Sequence, residues 1–252
     1  GKVVAWADGD TRFYGSVSAR GGALGGEGGK VEVSGKHRLA FAGKVDTRAP
    51  AGRTGMLLLD PDDIDINDGG ADIATVGDGN AIVTFGESVD PGVSITPASL
   101  VALDTDVSLS ANNDITFSSA LTLNATRTLT AVAGRNVTVN AAIDAPGGVD
   151  LTAGNSVAGT LTVAAGISSL GTIALNAGGN PVIFDLTAAP ALTATITGGA
   201  GSDTVKFSGQ TYTLDDATAN AGSNGTVAWT SIENQATVPL LDRKSTRLNL
   251  QS

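Results

Sequence analysis

Four stretches decide the fold. They are Ser108-Leu109-Ser110-Ala111-Asn112-Asn113-Asp114-Ile115, then Thr128-Leu129-Thr130-Ala131 running on to Val137, then Asp150-Leu151-Thr152-Ala153-Gly154-Asn155-Ser156-Val157, then Ala174-Leu175-Asn176-Ala177 running on to Val182. Their leucines lie 20, 22 and 24 residues apart. A self-similar period in the twenties, built of short strands and small turn residues, is the signature of a solenoid in which one repeat makes one coil. The expected fold is all-β, a right-handed parallel β-helix (β-solenoid) over most of residues 1–241. Each coil would point alternate Leu, Val or Ile inward, stacked on the next coil about 4.8 Å away. Leu109, Leu129, Leu151 and Leu175 are expected in one inward column.

Period-two alternation recurs outside the repeats, as in Val31-Glu32-Val33, Leu121-Thr122-Leu123, Val137-Thr138-Val139 and Leu161-Thr162-Val163. Helical spacing is not sustained, and runs such as Gly21-Gly22-Ala23-Leu24-Gly25-Gly26 would destroy a helix. At roughly 22 residues per coil, ten or eleven coils precede the tail, a rod on the order of 50 Å long by strand spacing. A β-sandwich is the alternative, but sandwiches usually bury larger aromatics and require no repeat.

Composition agrees. The chain has 252 residues, 34 glycines, no cysteine, one histidine and 4% aromatics, with 41% hydrophobic residues and a mean hydropathy of +0.14. The core must therefore be built from small and branched side chains. Glycine and asparagine are expected at corners, where they tolerate left-handed backbone. Without cysteine there are no disulfides, thiolate metal sites or cysteine nucleophiles. No run approaches the 18 or so apolar residues of a membrane span. The net charge of -10 argues against nucleic acid or an anionic membrane as partner.

The charge is uneven. Residues 1–53 hold nine basic and five acidic side chains, a net of +4, whereas 54–241 hold three basic and nineteen acidic, a net of -16. The expected organisation is 1–55, basic first coils; 56–103, acidic irregular coils with an excursion; 104–241, regular coils; and 242–252, a tail foreign to the fold. The excursion is expected between Asn67 and Leu103, where Gly69-Gly70, Asp90-Pro91-Gly92 and Thr96-Pro97 interrupt the repeat. The tail, from Asp242-Arg243-Lys244-Ser245 to Ser252, looks like a translated sequencing adapter. It is expected to add no coil, since it lacks an alternating stripe and its cations would be costly to bury.

Chemistry-bearing motifs are few. His37 sits between Lys36 and Arg38, whose charges disfavour its protonated form, so it is a poor general base. The paired acids Asp62-Asp63 and Asp215-Asp216 are the carboxylates that a glycosidase pair would draw on. The Gly-His-Gly and Arg-Ile-Lys elements of a pectinase-like site are missing. Gly198-Gly199-Ala200-Gly201-Ser202-Asp203-Thr204-Val205 matches one calcium nonapeptide, but one Asp cannot supply six to eight oxygens. A Gly-rich corner is the expectation there, calcium the alternative. In Asp60-Pro61-Asp62-Asp63-Ile64-Asp65-Ile66-Asn67-Asp68-Gly69, Asp63, Asp65 and Asn67 follow half of an EF-hand loop, while Asp68 and Ala74 stand at its required Gly and Glu positions. Thr193-Ala194-Thr195-Ile196-Thr197 and Thr211-Tyr212-Thr213 suggest a threonine ladder without recurring at one coil spacing. Trp6 and Trp229 are the large rings available for sugar stacking.

The opening Gly1-Lys2-Val3-Val4-Ala5-Trp6-Ala7-Asp8-Gly9-Asp10-Thr11-Arg12-Phe13-Tyr14-Gly15 resembles the filamentous haemagglutinin family of bacterial exoproteins. Gly28-Gly29-Lys30-Val31-Glu32-Val33-Ser34-Gly35, Leu57-Leu58-Leu59-Asp60-Pro61, Asp114-Ile115-Thr116-Phe117 and the stretch from Tyr212 to Asn234 are similar to segments of the same family. The resemblance implies an internal piece of a β-helical adhesin, exported by two-partner secretion through an outer-membrane transporter and displayed at the cell surface. It further implies contact of the parent polypeptide with a host or neighbouring cell. The expectation is a structural shaft segment with no enzymatic activity, no cofactor and no site residues of its own. The alternative is a carbohydrate-active or glycan-binding β-helix module.

Overall fold

Residues that alternate between apolar and small polar side chains place one set on each face of a strand, and a strand with one apolar face must stack to bury it. The computed structural model describes residues 1–35, 38–41, 44–71, 93–208, 213–214 and 220–238. The chain opens with strands β1 (Lys2–Ala7), β2 (Asp10–Phe13) and β3 (Ser16–Ser18), then β4 (Lys30–Gly35), β5 (Arg38–Phe41) and β6 (Lys44–Asp46). Next come β7 (Met56–Asp60), β8 (Ile64–Ala71), β9 (Val93–Ile95) and a short helix α1 (Pro97–Ala102). The regular part follows: β10 (Asp106–Ala111), β11 (Ile115–Phe117), β12 (Leu121–Thr122); β13 (Thr128–Ala133), β14 (Val137–Val139), β15 (Ile143–Asp144); β16 (Gly148–Ala153), β17 (Gly159–Val163), β18 (Ile167–Ser168). The chain continues through β19 (Ile173–Ala177), β20 (Val182–Leu186), β21 (Ala194–Thr197) and β22 (Thr204–Ser208) to β23 (Thr213–Leu214), β24 (Gly222–Ser223), β25 (Val227–Thr230) and β26 (Asn234–Val238).

These strands wind a parallel β-solenoid of about seven turns. The main sheet has the order β1-β4-β7-β10-β13-β16-β19-β21-β25-β24-β23, the second β26-β22-β20-β17-β14-β11-β8-β9, and the third face holds β12-β15-β18. Only the joins of β23 to β24 and β24 to β25 are antiparallel among the described strands. The turn count corrects the expected ten or eleven. Equivalent positions lie 20 to 24 residues apart only in the regular part; Lys2 to Lys30 takes 28 and Met56 to Asp106 takes 50. Loops consume the rest, leaving a rod nearer 35 Å by strand spacing.

The predicted leucine column is also corrected. Leu109, Leu151 and Leu175 share a column, but Ala131 stands where Leu129 was expected. Leu129 stacks in the neighbouring column, between Val107 and Val149. Close packing explains the slip: Leu129 beside Ala131 offsets the large Leu109 and Leu151 above and below, so each rung keeps a similar volume.

The long step from Met56 to Asp106 contains β9 and α1 as well as residues outside the described set. β9 pairs with β8 on the side away from β11 and lies against β5, so it adds a rung to the second face that the main sheet lacks. α1 packs on β8 and the free edge of β12, burying Leu100. Pro97 opens it at a position where no intrahelical N–H bond is lost. The Thr47 and Thr105 hydroxyls, hydrogen-bonded to each other, close the step; Thr105 donates to the Gly55 carbonyl at 3.0 Å.

The glycines serve mainly another purpose than left-handed backbone. Five described glycines, including Gly154 and Gly225, have clearly positive φ. Many others lie where coils touch: a Cβ on Gly159 would sit 1.8 Å from the Arg135 carbonyl oxygen.

Candidate functional site

The acidic run from Asp60 to Asp68 forms the corner between β7 and β8 and the start of the second sheet's outer face. Its residues are engaged from coil to coil. The Asp114 N–H donates to Asp63 Oδ1 at 3.0 Å, the Asn136 N–H to Asp114 Oδ1 at 3.1 Å, and the Thr160 N–H to Asn136 Oδ1 at 2.8 Å. One corner position thus carries a ladder in which each side-chain oxygen receives the backbone amide of the coil that follows. Arg135 clamps the Asp114 carboxylate with Nε at 2.9 Å and Nη2 at 2.7 Å. That bond holds the Asp114 carboxyl below its ordinary range, against partial burial and with help from the Asn136 amide.

The neighbouring acids are occupied differently. Asp62 Oδ1 accepts from Asn112 Nδ2 at 2.8 Å, and Asp65 Oδ2 from Asn67 Nδ2 at 2.9 Å. Burial pushes the Asp60 carboxyl up; a hydrogen bond from Ser110 opposes the rise, and the Glu32 and Asp62 charges add to it. Among the described residues no three His, Cys, Asp or Glu side chains converge on a point where a metal ion would sit. The residues of the half EF-hand pattern lie at the start of β8, a strand paired on both sides by β11 and β9: Asp63 caps a backbone amide while Asn67 donates to Asp65.

Asp203 of the nonapeptide-like stretch is fully buried, with no exposed surface. Its Oδ1 accepts from the Val182 N–H at 2.7 Å and its Oδ2 from the Gly199 N–H at 2.8 Å, while its own N–H donates to Glu233 Oε2 at 2.7 Å. Both carboxylate oxygens thus serve backbone donors of the corner. Burial pushes the pKa of this carboxyl above the usual range, opposed by the Val182 and Gly199 amides and reinforced by Glu233.

The two tryptophans part company. Trp6 is 55% exposed on the free edge strand β1, whereas Trp229 is 1% exposed, stacked on Ile196 in the inward column with the Phe207 ring 5.4 Å away. Trp229 as a sugar platform is thereby corrected, because strand parity turns it inward. His37, Asp215, Asp216, Thr211, Tyr212 and residues 242–252 lie outside the described residues.

Thr195 and Thr197 of β21 stand beside Ala228 and Thr230 of β25, so one threonine of that pair does recur at the next coil. A longer hydroxyl file, which the sequence reading missed, runs up the second sheet as Thr116, Thr138 and Thr162, bounded by Asp65 and Asp185. Its signal is the middle residue of Ile115-Thr116-Phe117, Val137-Thr138-Val139 and Leu161-Thr162-Val163, at steps of 22 and 24. A cavity of about 370 Å³, lined by Leu186, Pro190, Leu192, Phe207, Thr226 and others, opens where Pro190 replaces a third-face strand.

Compared with known proteins, the chain matches no family model, no curated protein and no solved structure. Among the described residues no helix is long and apolar enough to cross a membrane.

Proposed function

We propose that this chain is a structural shaft segment of a large secreted bacterial adhesin of the filamentous haemagglutinin kind, wound right-handed and exported through a partner outer-membrane transporter. The observation that supports this reading is the use of the outward polar groups. Asp63, Asp114 and Asn136 spend their side-chain oxygens on the next coil, as a load-carrying stack requires, and do not converge on a common point as a catalytic pair would. The sequence resemblance at residues 1–61 supplies the biological setting. In this setting the parent polypeptide meets the host or neighbouring cell, and this segment sets the distance between its functional ends.

The test places the purified chain on immobilised polysaccharides and host-type glycans, with release of reducing sugar measured in parallel. A shaft gives neither saturable binding nor turnover. Saturable binding abolished by altering Thr138 and Thr162 would replace the proposal with a glycan-binding module. Sugar release would replace it with an enzyme.

A further inference from the structure

Near its end the main sheet turns antiparallel: β24 and β25 form a hairpin whose turn is Asn224-Gly225-Thr226, and β23 pairs beyond β24. The sequence holds a single Asn-Gly pair, and it lies at this apex. One side-chain atom takes three of the turn's hydrogen bonds. Asn224 Oδ1 accepts from the Val227 N–H at 2.7 Å, the Thr226 N–H at 3.1 Å and the Thr226 hydroxyl at 3.2 Å. The Asn224 N–H donates to the Val227 carbonyl at 3.0 Å, closing the hairpin. Gly225 is exposed, has φ +98° and nothing within 4 Å of the place a Cβ would take, and its N–H donates to Ser223 Oγ at 2.9 Å.

We propose that Asn224 is a self-modifying site that converts to aspartate and isoaspartate, and that the isoaspartyl form unfastens this cap. The Gly225 nitrogen attacks Asn224 Cγ and loses its proton, by way of the Ser223 hydroxyl, to solvent base. Nδ2 takes a proton from solvent water as the Cγ–Nδ2 bond breaks, ammonia leaves, and a five-membered imide remains. Water then opens the imide at either carbonyl, giving Asp or isoAsp with no oxidant, metal or enzyme. Glycine at the attacking position removes the side chain that would obstruct approach. The three donors on Oδ1 lie where negative charge develops as Cγ becomes tetrahedral, which is the arrangement that lowers the barrier to acyl transfer. The isoaspartyl product puts an extra methylene in the backbone of the turn, so the acceptor that held Val227 and Thr226 moves away. The consequence is a slow, irreversible loosening of the end of the main sheet.

The experiment incubates the full chain at mildly alkaline pH, folded and in urea, and follows Asn224, Asn124 and Asn155 by peptide mapping with an isoaspartyl-specific methyltransferase label. The expected result is conversion at Asn224 in the folded chain at least as fast as in urea, and about an order of magnitude faster than at the other two. Thr226→Val, which removes one Oδ1 donor from an exposed turn, should slow the folded reaction severalfold and leave the urea rate unchanged. Amide exchange at Val227 and Ala228 should rise with the isoaspartyl fraction. Conversion in urea with Asn224 intact in the folded chain would overturn the proposal, since the turn would then be protecting the amide. Conversion without faster exchange at Val227 would overturn its role as the clasp of the cap.

Discussion

Residues 106–172 and residues 1–55 are built from the same alternation of apolar and polar side chains, yet they hold together differently. In the first, every coil contributes to three sheets, and Leu109, Leu129, Val137 and Leu151 have no exposed surface. In the second, among the described strands, β2 pairs only with β5 and β3 only with β6, while β9 occupies the flank of β8 and α1 packs on the edge of β12. Phe13, Val17 and Ala19 are only partly covered. Close glycine contacts and exposed ion pairs join the coils there as they do in the regular part: a Cβ on Gly28 would lie 1.8 Å from the Thr47 carbonyl oxygen, and Asp46 is bridged by Arg20 and Arg48. Periodicity alone therefore does not set local stability; the number of neighbours along the stack does.

The strongest way to break this contrast is truncation. Leu151→Ala should cost about 2 to 5 kcal/mol and Val17→Ala under about 1 kcal/mol, because only the first leaves a closed cavity. Urea unfolding measures both, and equal losses would show that the two regions share one core. Next in size, Gly28→Ala should destabilise by about 1 to 3 kcal/mol through contact with backbone that cannot move aside. Gly28→Ala should thus outweigh truncation of the partly covered Val17 but not that of Leu151.

Acid titration sharpens the contrast further. The Arg48 hydrogen bond holds the Asp46 carboxyl well below its usual range, and Arg135 does the same for Asp114. A carboxyl lowered in the folded state contributes stability that is present above its unfolded value and lost as pH falls through the folded one. Asp46 lies near the surface, so its share should fade in high salt, while that of Asp114, part-buried and bonded to the Asn136 amide, should persist. Unfolding midpoints of Asp46→Asn and Asp114→Asn against pH, with and without salt, provide the check.

The smallest effect has the opposite sign. Burial raises the Asp60 carboxyl, so the folded chain binds more protons than the unfolded one between the ordinary and the raised values. Its contribution falls as pH rises through that window. Asp60→Asn should therefore be neutral or stabilising by a few tenths of a kcal/mol at neutral pH, and its melting temperature should lack the wild-type decline across the window.

Legibility follows the range of the interaction. Strand identity and parallel stacking were readable because Leu109, Leu151 and Leu175 repeat in sequence what they do in space. The displacement of Leu129 was not, since the local match of Thr128-Leu129-Thr130-Ala131 to Ser108-Leu109-Ser110-Ala111 conflicts with the volume balance between rungs, which no single repeat contains. The acids at 60–68 were conspicuous in sequence. Their employment as coil-to-coil acceptors was invisible there, because the Asp114 donor of Asp63 lies 51 residues away.

The alternation of side chains, the spacing of the repeats and the abundance of small residues were enough to select a parallel solenoid with a thin aliphatic core. These are local properties, set by strand pleat and by the width that small residues permit between coils. The tertiary structure alone decided the number of turns, the insertion of β9 beside β8, the inward fate of Trp229 and the burial of Asp203. Each depends on which coil lies above and below, and a residue's parity on a strand and its exposure to water are properties of the stack.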